Sequence, residues 1–174
     1  LAGGSEAPLY PLCYGSFSLI RAMSTRNDDP ATASRPFDSG RDGFVMAEGS
    51  AVLILESLEH AEARGARIYA EIAGAGLTND AHHMTQPRPD GREAARAMRM
   101  ALAEAGCAPE EVEWVNAHGS STTLNDATEA LAIREVFGAH ADTLPVSGTK
   151  GWHAHALGAS GAIETAIACR SIRD

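Results

Sequence analysis

Two stretches of the chain set a histidine among small residues and hydroxyls. The first is Asn116-Ala117-His118-Gly119-Ser120-Ser121-Thr122-Thr123-Leu124-Asn125-Asp126. The second is Gly148-Thr149-Lys150-Gly151-Trp152-His153-Ala154-His155-Ala156-Leu157-Gly158-Ala159-Ser160-Gly161. Each reads as the mouth of a strand-to-helix turn. Two neutral imidazoles brought to one point donate two N–H bonds to one carbonyl oxygen and stabilise negative charge developing there. Both rings must be neutral for this, because an imidazolium would trap the anion as a salt; pKa values below working pH are therefore expected. Lys150 is open to three readings: a surface lysine, a direct catalyst, or an organiser of the site. Asp126 and Glu129 are three residues apart and share a helical face. A partly buried Lys150 facing them would form a charged cluster that orders the histidine loop. Asp126 also suits a helix N-cap.

The elements that must position these residues are legible in outline. Asp90-Gly91-Arg92-Glu93 reads as a capping box, followed by Ala94, Met98, Ala101, Leu102 and Ala105 at helical spacing, with Gly106 as the stop. A second helix is expected from about Asp126 to Phe137, with Ala127, Leu131, Ile133 and Val136 inward and Gly138 closing it. A shorter one spans Leu58 to Arg64, stopped by Gly65. Gly158 to Ala162 opens a small-residue helix that permits close packing. The continuous apolar run Ala51 to Leu55 predicts a strand buried on both faces. Further strands are expected at Ile68 to Ala75, Val112 to Ala117 and Leu144 to Ser147. Alternating strands and helices indicate an α/β architecture, with Asn79 to Arg92 as the longest irregular loop.

Composition narrows the function classes. The net charge of −9 argues against a general nucleic-acid surface. No apolar run is long enough for a transmembrane helix, so no membrane partner is expected. Cys13, Cys107 and Cys169 are widely spaced and include no Cys-x-x-Cys pair, which speaks against structural zinc. Reduced buried thiols in a cytoplasmic protein are the plain reading. A metal site built from His82, His83, His118, His153 and His155 is a rival, but no His-Glu-x-x-His pattern supports it, and no metal is assigned.

The two histidine stretches resemble the paired active-site histidines of beta-ketoacyl-ACP synthases, the condensing enzymes of fatty-acid and polyketide synthesis. Ala2-Gly3-Gly4-Ser5-Glu6-Ala7, Ala22 to Pro30, Ser34-Arg35-Pro36-Phe37-Asp38 and Arg41 to Gly49 are similar to that family as well, and in the same order. The likeness is greatest to stand-alone synthases of the elongating type II kind. It implies a thiolase-like fold of five αβαβα layers, of which residues 1–174 would be an incomplete part, mostly of the C-terminal half. The segment carrying the nucleophilic cysteine would lie upstream, and a C-terminal Gly/Phe-rich loop downstream.

The resemblance also implies roles. His118 and His155, 37 residues apart, are the oxyanion donors; Lys150, 32 residues after His118, supports them with Asp126 and Glu129. Thr85, Ser120 and Thr122 fall where hydroxyls line the phosphopantetheine tunnel, and Phe17 beside the acyl pocket. Arg21 and Arg26 fall where basic residues meet the acidic acyl carrier protein, a charge-steered encounter. The protein itself binds no cofactor; its substrate rides on the phosphopantetheine of that carrier. A homodimer, or a heterodimer with a related ketosynthase subunit, is expected. A non-catalytic partner of the chain-length-factor kind is the alternative. The family's Thr-Gly before the second histidine is His153-Ala154 here, and Gly151-Trp152 is also unusual. These departures suggest a reshaped pocket for a polyketide substrate and leave His153 as a competitor for His155's role, though spacing favours His155.

Overall fold

The computed structural model describes residues 1–172. In chain order they form β1 (Ala2–Glu6), α1 (Pro11–Leu19), β2 (Gly49–Leu53), α2 (Leu58–Ala63), α3 (Arg92–Ala105), β3 (Val115–Asn116), α4 (Thr123–Phe137), β4 (Val146–Ser147), α5 (Lys150–His153) and α6 (Ser160–Ser171). Two short sheets organise the site. β1 and β2 pair antiparallel in the register Ala2↔Leu53 to Glu6↔Gly49. β3 and β4 pair in parallel, Val115↔Val146 and Asn116↔Ser147.

Packing explains why the chain is so rich in small residues. α6 lies across β1 and β2, and a Cβ on Gly4 would come within 2.6 Å of the Gly158 carbonyl oxygen. The second core, Ile133, Phe137 and Leu144, is buried beneath β3 and β4 with Met98, Leu102 and Val115 packed against it. It draws on α3 and α4, which lie side by side.

Several expected elements differ from those observed. α4 begins at Thr123, where Thr122 accepts from the Asn125 amide as N-cap. Asp126 is therefore inside the first turn, not capping it. Shifted in phase, the helix buries Asp126, Ala132, Ile133 and Phe137 and leaves Leu131 exposed. No capping box forms at Asp90: the N-cap is Gly91 at φ 63°, Asp90 accepts from the Arg92 amide, and Glu93 turns outward to Arg96. Glycine suits this position twice over: its φ is left-handed, and a Cβ there would come within 2.9 Å of the Thr128 carbonyl oxygen.

The strand at Ala51 to Leu55 shifts to Gly49–Leu53 and alternates in burial, with Val52 66 % exposed. Its only ladder partner among the described residues is β1, so its other edge is unpaired there. Ile68 to Ala75 forms no strand. The segment instead runs along α3, so close that a Cβ on Gly74 would meet the Ala101 carbonyl oxygen at 2.2 Å. Apolar, β-branched composition mimicked a strand where the backbone in fact lies against a helix.

Candidate active site

His118 follows β3, whose parallel pairing continues through the Ala117 amide to the Ser147 carbonyl at 2.9 Å. The chain then turns sharply, with Gly119 at φ 43° and the buried Ser121 at φ 67°. Two charged side chains hold this turn by its main chain, and a third, Asp126, ties its helix to a neighbouring segment. Both oxygens of Glu129 accept backbone N–H groups, from His118 at 2.6 Å and Gly119 at 2.9 Å. The Lys150 ammonium donates to the His118 carbonyl at 2.6 Å. Asp126, 1 % exposed, accepts from the Phe37 amide at 2.8 Å and from the Asn125 side chain at 3.1 Å, and has the Arg41 guanidinium at 3.7 Å. Asn125 also donates to Glu129.

Lys150 is 0 % exposed. A buried ammonium without a counter-charge costs several kcal/mol, so its partner matters. That partner is Glu164 of α6. The expected pairing of Lys150 with Asp126 and Glu129 is thus corrected: those carboxylates bind main-chain amides, and a third one neutralises the lysine. Glu164 was missed, although a lone acid in an otherwise small and apolar helix was a usable signal.

His155 is held differently. Its backbone bridges to the Arg41 to Gly49 segment, donating to the Val45 carbonyl at 2.8 Å and accepting from the Ala47 amide at 3.0 Å. Its ring is fixed through Nδ1, which accepts from the Leu157 amide at 3.1 Å and lies 3.0 Å from Ser160 Oγ. A backbone N–H can only donate, so Nδ1 carries no proton and the neutral ring bears its hydrogen on Nε2. Burial, then the charges of His118, Lys150 and His153, lower the pKa of His155 to about 3. The pKa of His118 is lowered too, by burial and then by the Lys150 ammonium, while Glu129, Glu164 and Asp126 pull it back. Both rings are neutral near pH 7, as two-donor chemistry requires.

The imidazoles meet edge to face, with centroids 5.2 Å apart and planes at 79°. Phe44, buried, packs its ring against His155 at 5.5 Å and against Phe17 at 6.1 Å. His118 and His155 open on a pocket of about 780 Å³ that Phe17, Arg21, Thr85, Ser120 and Thr122 also line. Ser120 and Thr122 exchange a hydroxyl bond of 2.9 Å. Thr85 donates its amide to His83 Nδ1, which folds the loop over the pocket. Arg26 lies away from the pocket lining, 3.9 Å from Asp29.

His153 directs Nε2 to Thr149 Oγ1 at 3.1 Å, and its buried Nδ1 has no hydrogen-bond partner among the described residues. His155, not His153, lines the pocket. Between them, Ala154 takes φ 57° and ψ −163°, a conformation open almost solely to glycine. The His155 bridge to Val45 and Ala47 holds it there. Trp152 is 96 % exposed and points away from any packing. Among the described residues no cluster of three or more His, Cys, Asp or Glu is placed to hold a metal, and no helix is long and apolar enough to cross a membrane. Phe44 and Ser160 were not foreseen as site residues; the neighbourhood of Ser160 five positions beyond His155 was the only available signal.

Residues 69–174 match the profile of the beta-ketoacyl synthase C-terminal domain, and residues 1–61 that of its N-terminal domain. The chain belongs to the beta-ketoacyl synthase family. It is 52 % identical over 174 residues to a 3-oxoacyl-[acyl-carrier-protein] synthase 2 of Coxiella burnetii, and 53 % to one of Synechocystis, covering all of this chain and 42 % of each of those proteins. Among solved structures it is similar to a beta-ketoacyl synthase from Burkholderia phymatum, with a TM-score of 0.92 at 43 % identity over 99 % of this chain and 41 % of that one. A type II polyketide ketosynthase in complex with its acyl-carrier protein and bound to a hexaketide gives a TM-score of 0.94 at 48 % identity, over 97 % of this chain and 41 % of that one. The ishigamide ketosynthase/chain length factor gives 0.86 at 38 %, over 98 % and 40 %. The fold is accordingly thiolase-like α/β, of which this beta-ketoacyl synthase chain is a part: it spans about 42 % of the length of the curated relatives named here.

Proposed function

We propose that this chain supplies the decarboxylation and condensation half of a beta-ketoacyl-ACP synthase active site. The observation that carries the reading is the pair of neutral imidazoles, 5.2 Å apart, lining one pocket, with the His155 hydrogen held on Nε2. A malonyl thioester carried on acyl carrier protein places its thioester carbonyl oxygen between the two donors. The C–C bond to the carboxylate breaks, carbon dioxide leaves, and the electron pair forms an enolate whose negative oxygen the two N–H groups stabilise. The enolate carbon attacks the carbonyl of an acyl thioester held on a cysteine outside this chain. The C–S bond breaks, the thiolate is released, and 3-ketoacyl-carrier protein is the product.

Supporting roles follow from placement. Thr85, Ser120 and Thr122 are positioned to bond the pantetheine amides, and Phe17 with Phe44 to border the acyl chain. Arg21, at the pocket mouth, suits the first contact with an acidic carrier. Arg26, outside the lining, is the more peripheral of the two. The pantetheine is part of the substrate, and no cofactor role is assigned to the protein. A dimer with a copy or a related subunit, in the cytoplasm, completes the reading.

The test is product formation by the full-length protein: acyl-primed enzyme, malonyl-carrier protein, and mass spectrometry of the 3-ketoacyl product. Product that is lost in His118→Ala and in His155→Ala supports the reading. No product until a related subunit is added would overturn it in favour of a chain-length-factor role.

A further inference from the structure

We propose that Ser160 is a positioning residue for His155, a hydroxyl that orients the imidazole's oxyanion-facing N–H; the proposal rests on the condensing reading above. The first residue of α6 is 4 % exposed, and its Oγ lies 3.0 Å from His155 Nδ1. Nδ1 already accepts the Leu157 N–H, so it has no hydrogen to give, and the serine must be the donor. Two donors therefore share the one lone pair of this ring nitrogen. One alone, the Leu157 amide, leaves the ring free to tilt about that bond; two fix both the tautomer and the plane.

The surroundings show why a second constraint is needed here. Leu157 is itself at φ 42° and Ala154 at φ 57°, so the turn carrying His155 has a strained residue on each side. Ser160 belongs instead to a twelve-residue helix packed across β1 and β2, and so ties the ring to an element outside the turn. A hydrogen bond of this kind sharpens donor geometry by a modest amount, since only ring orientation changes and both catalytic N–H groups remain.

Long-range ¹H–¹⁵N spectra of the full-length protein labelled in histidine test this, with His155→Ala identifying the resonance. Ser160→Ala is expected to move the His155 Nδ1 resonance toward that of an unbonded acceptor nitrogen. It should lower kcat about 2- to 10-fold with KM for malonyl-carrier protein unchanged, as the loss of one neutral hydrogen bond predicts. Ser160→Thr, which keeps the hydroxyl, should restore both. A Nδ1 resonance that is the same in wild type and Ser160→Ala overturns the proposal, even if kcat falls, because the serine would then act only by packing. A resonance that responds in a protein making no 3-ketoacyl product supports the positioning role and overturns the condensing reading alone.

Discussion

The two histidine turns reach the same end by opposite means. His118 is held by its main chain: Glu129 grips two amides and Lys150 caps the carbonyl, while its ring packs edge to face on His155. His155 is held by its ring, through the Leu157 amide and Ser160, while its main chain joins a neighbouring extended segment. Charge dominates the first arrangement and hydrogen-bond direction the second. A turn at the end of a two-residue strand has little ladder to anchor it, so buried charges take over. The second turn has donors in its own loop and at the first residue of α6, and holds its ring without charge.

The largest effect should come from breaking the charged clamp. Lys150→Met leaves Glu164 buried without its counter-charge, and Glu164→Gln does the reverse; each is expected to destabilise the fold by about 3–5 kcal/mol. The double variant Lys150→Met/Glu164→Leu should cost less than the two single changes added together, since no orphaned charge remains. Thermal or denaturant unfolding measures this. If the single variants are as stable as wild type, Lys150 is not the clamp. In every case the His155 Nδ1 resonance should stay put, because none of these residues bonds that ring.

Next in size is the chemistry itself. His118→Ala and His155→Ala should each lower the condensation rate by roughly 10²–10³, the usual cost of one oxyanion donor. Losing a side chain from the charge-held turn should leave Lys150, Glu164 and Glu129 in place, so His118→Ala should unfold at nearly the wild-type temperature. Equal loss of rate with unequal loss of stability between the His118 and Lys150 variants would separate donor from clamp.

Glu129→Gln is the finer probe of the clamp. The amide keeps one acceptor oxygen for one of the two N–H groups and turns an NH₂ toward the other. The expected cost is about 1.5–3 kcal/mol, the worth of a charge-assisted hydrogen bond. A rate loss larger than the stability loss would mean that the turn's geometry, not only its existence, serves the reaction.

How much of this could be read beforehand divides along the same line. The meeting of His118 and His155 was legible because histidine types and spacing carry it, and the helices Leu58–Ala63 and Arg92–Ala105 because periodicity and a glycine stop do. Lys150 was recognised as central, but its partner was not: Glu164 is only 14 residues away, nearer than Asp126 or Glu129, yet it reaches the site only when α6 packs across β1 and β2. The phase of α4 was misjudged for a related reason: the helix turns a carboxylate, Asp126, into the interior to bind the Phe37 amide, against the apolar pattern. The false strand at Ile68 to Ala75 fails likewise, since composition cannot tell a ladder from a backbone resting on a helix. What depends on long-range pairing of polar groups is the part that local sequence does not carry.

The smallest effect is electrostatic and distinguishes the turns by pH. His155 is flanked by the positive or protonatable groups His118, Lys150 and His153 and has its pKa near 3. His118 is pushed below the ordinary histidine value by burial and Lys150, but three carboxylates oppose that push. On acidification His118 should therefore take a proton first. Because the neutral ring is the donor, condensation should hold level as pH falls past about 6.5, the ordinary histidine value, and decline only below it. Stability moves in the same direction: the unfolded chain gains protons at these histidines near 6.5 while the folded one resists, so stability is lost as pH falls from there toward 3. Glu129→Gln removes one opposing carboxylate and should shift the acid limb to lower pH. Lys150→Met removes the ammonium and should shift it to higher pH, and Ser160→Ala, which alters no charge near His118, should leave that limb where it is. An acid limb that ignored both charge variants would mean that a group other than His118 sets it, and that the charge-held turn governs geometry alone.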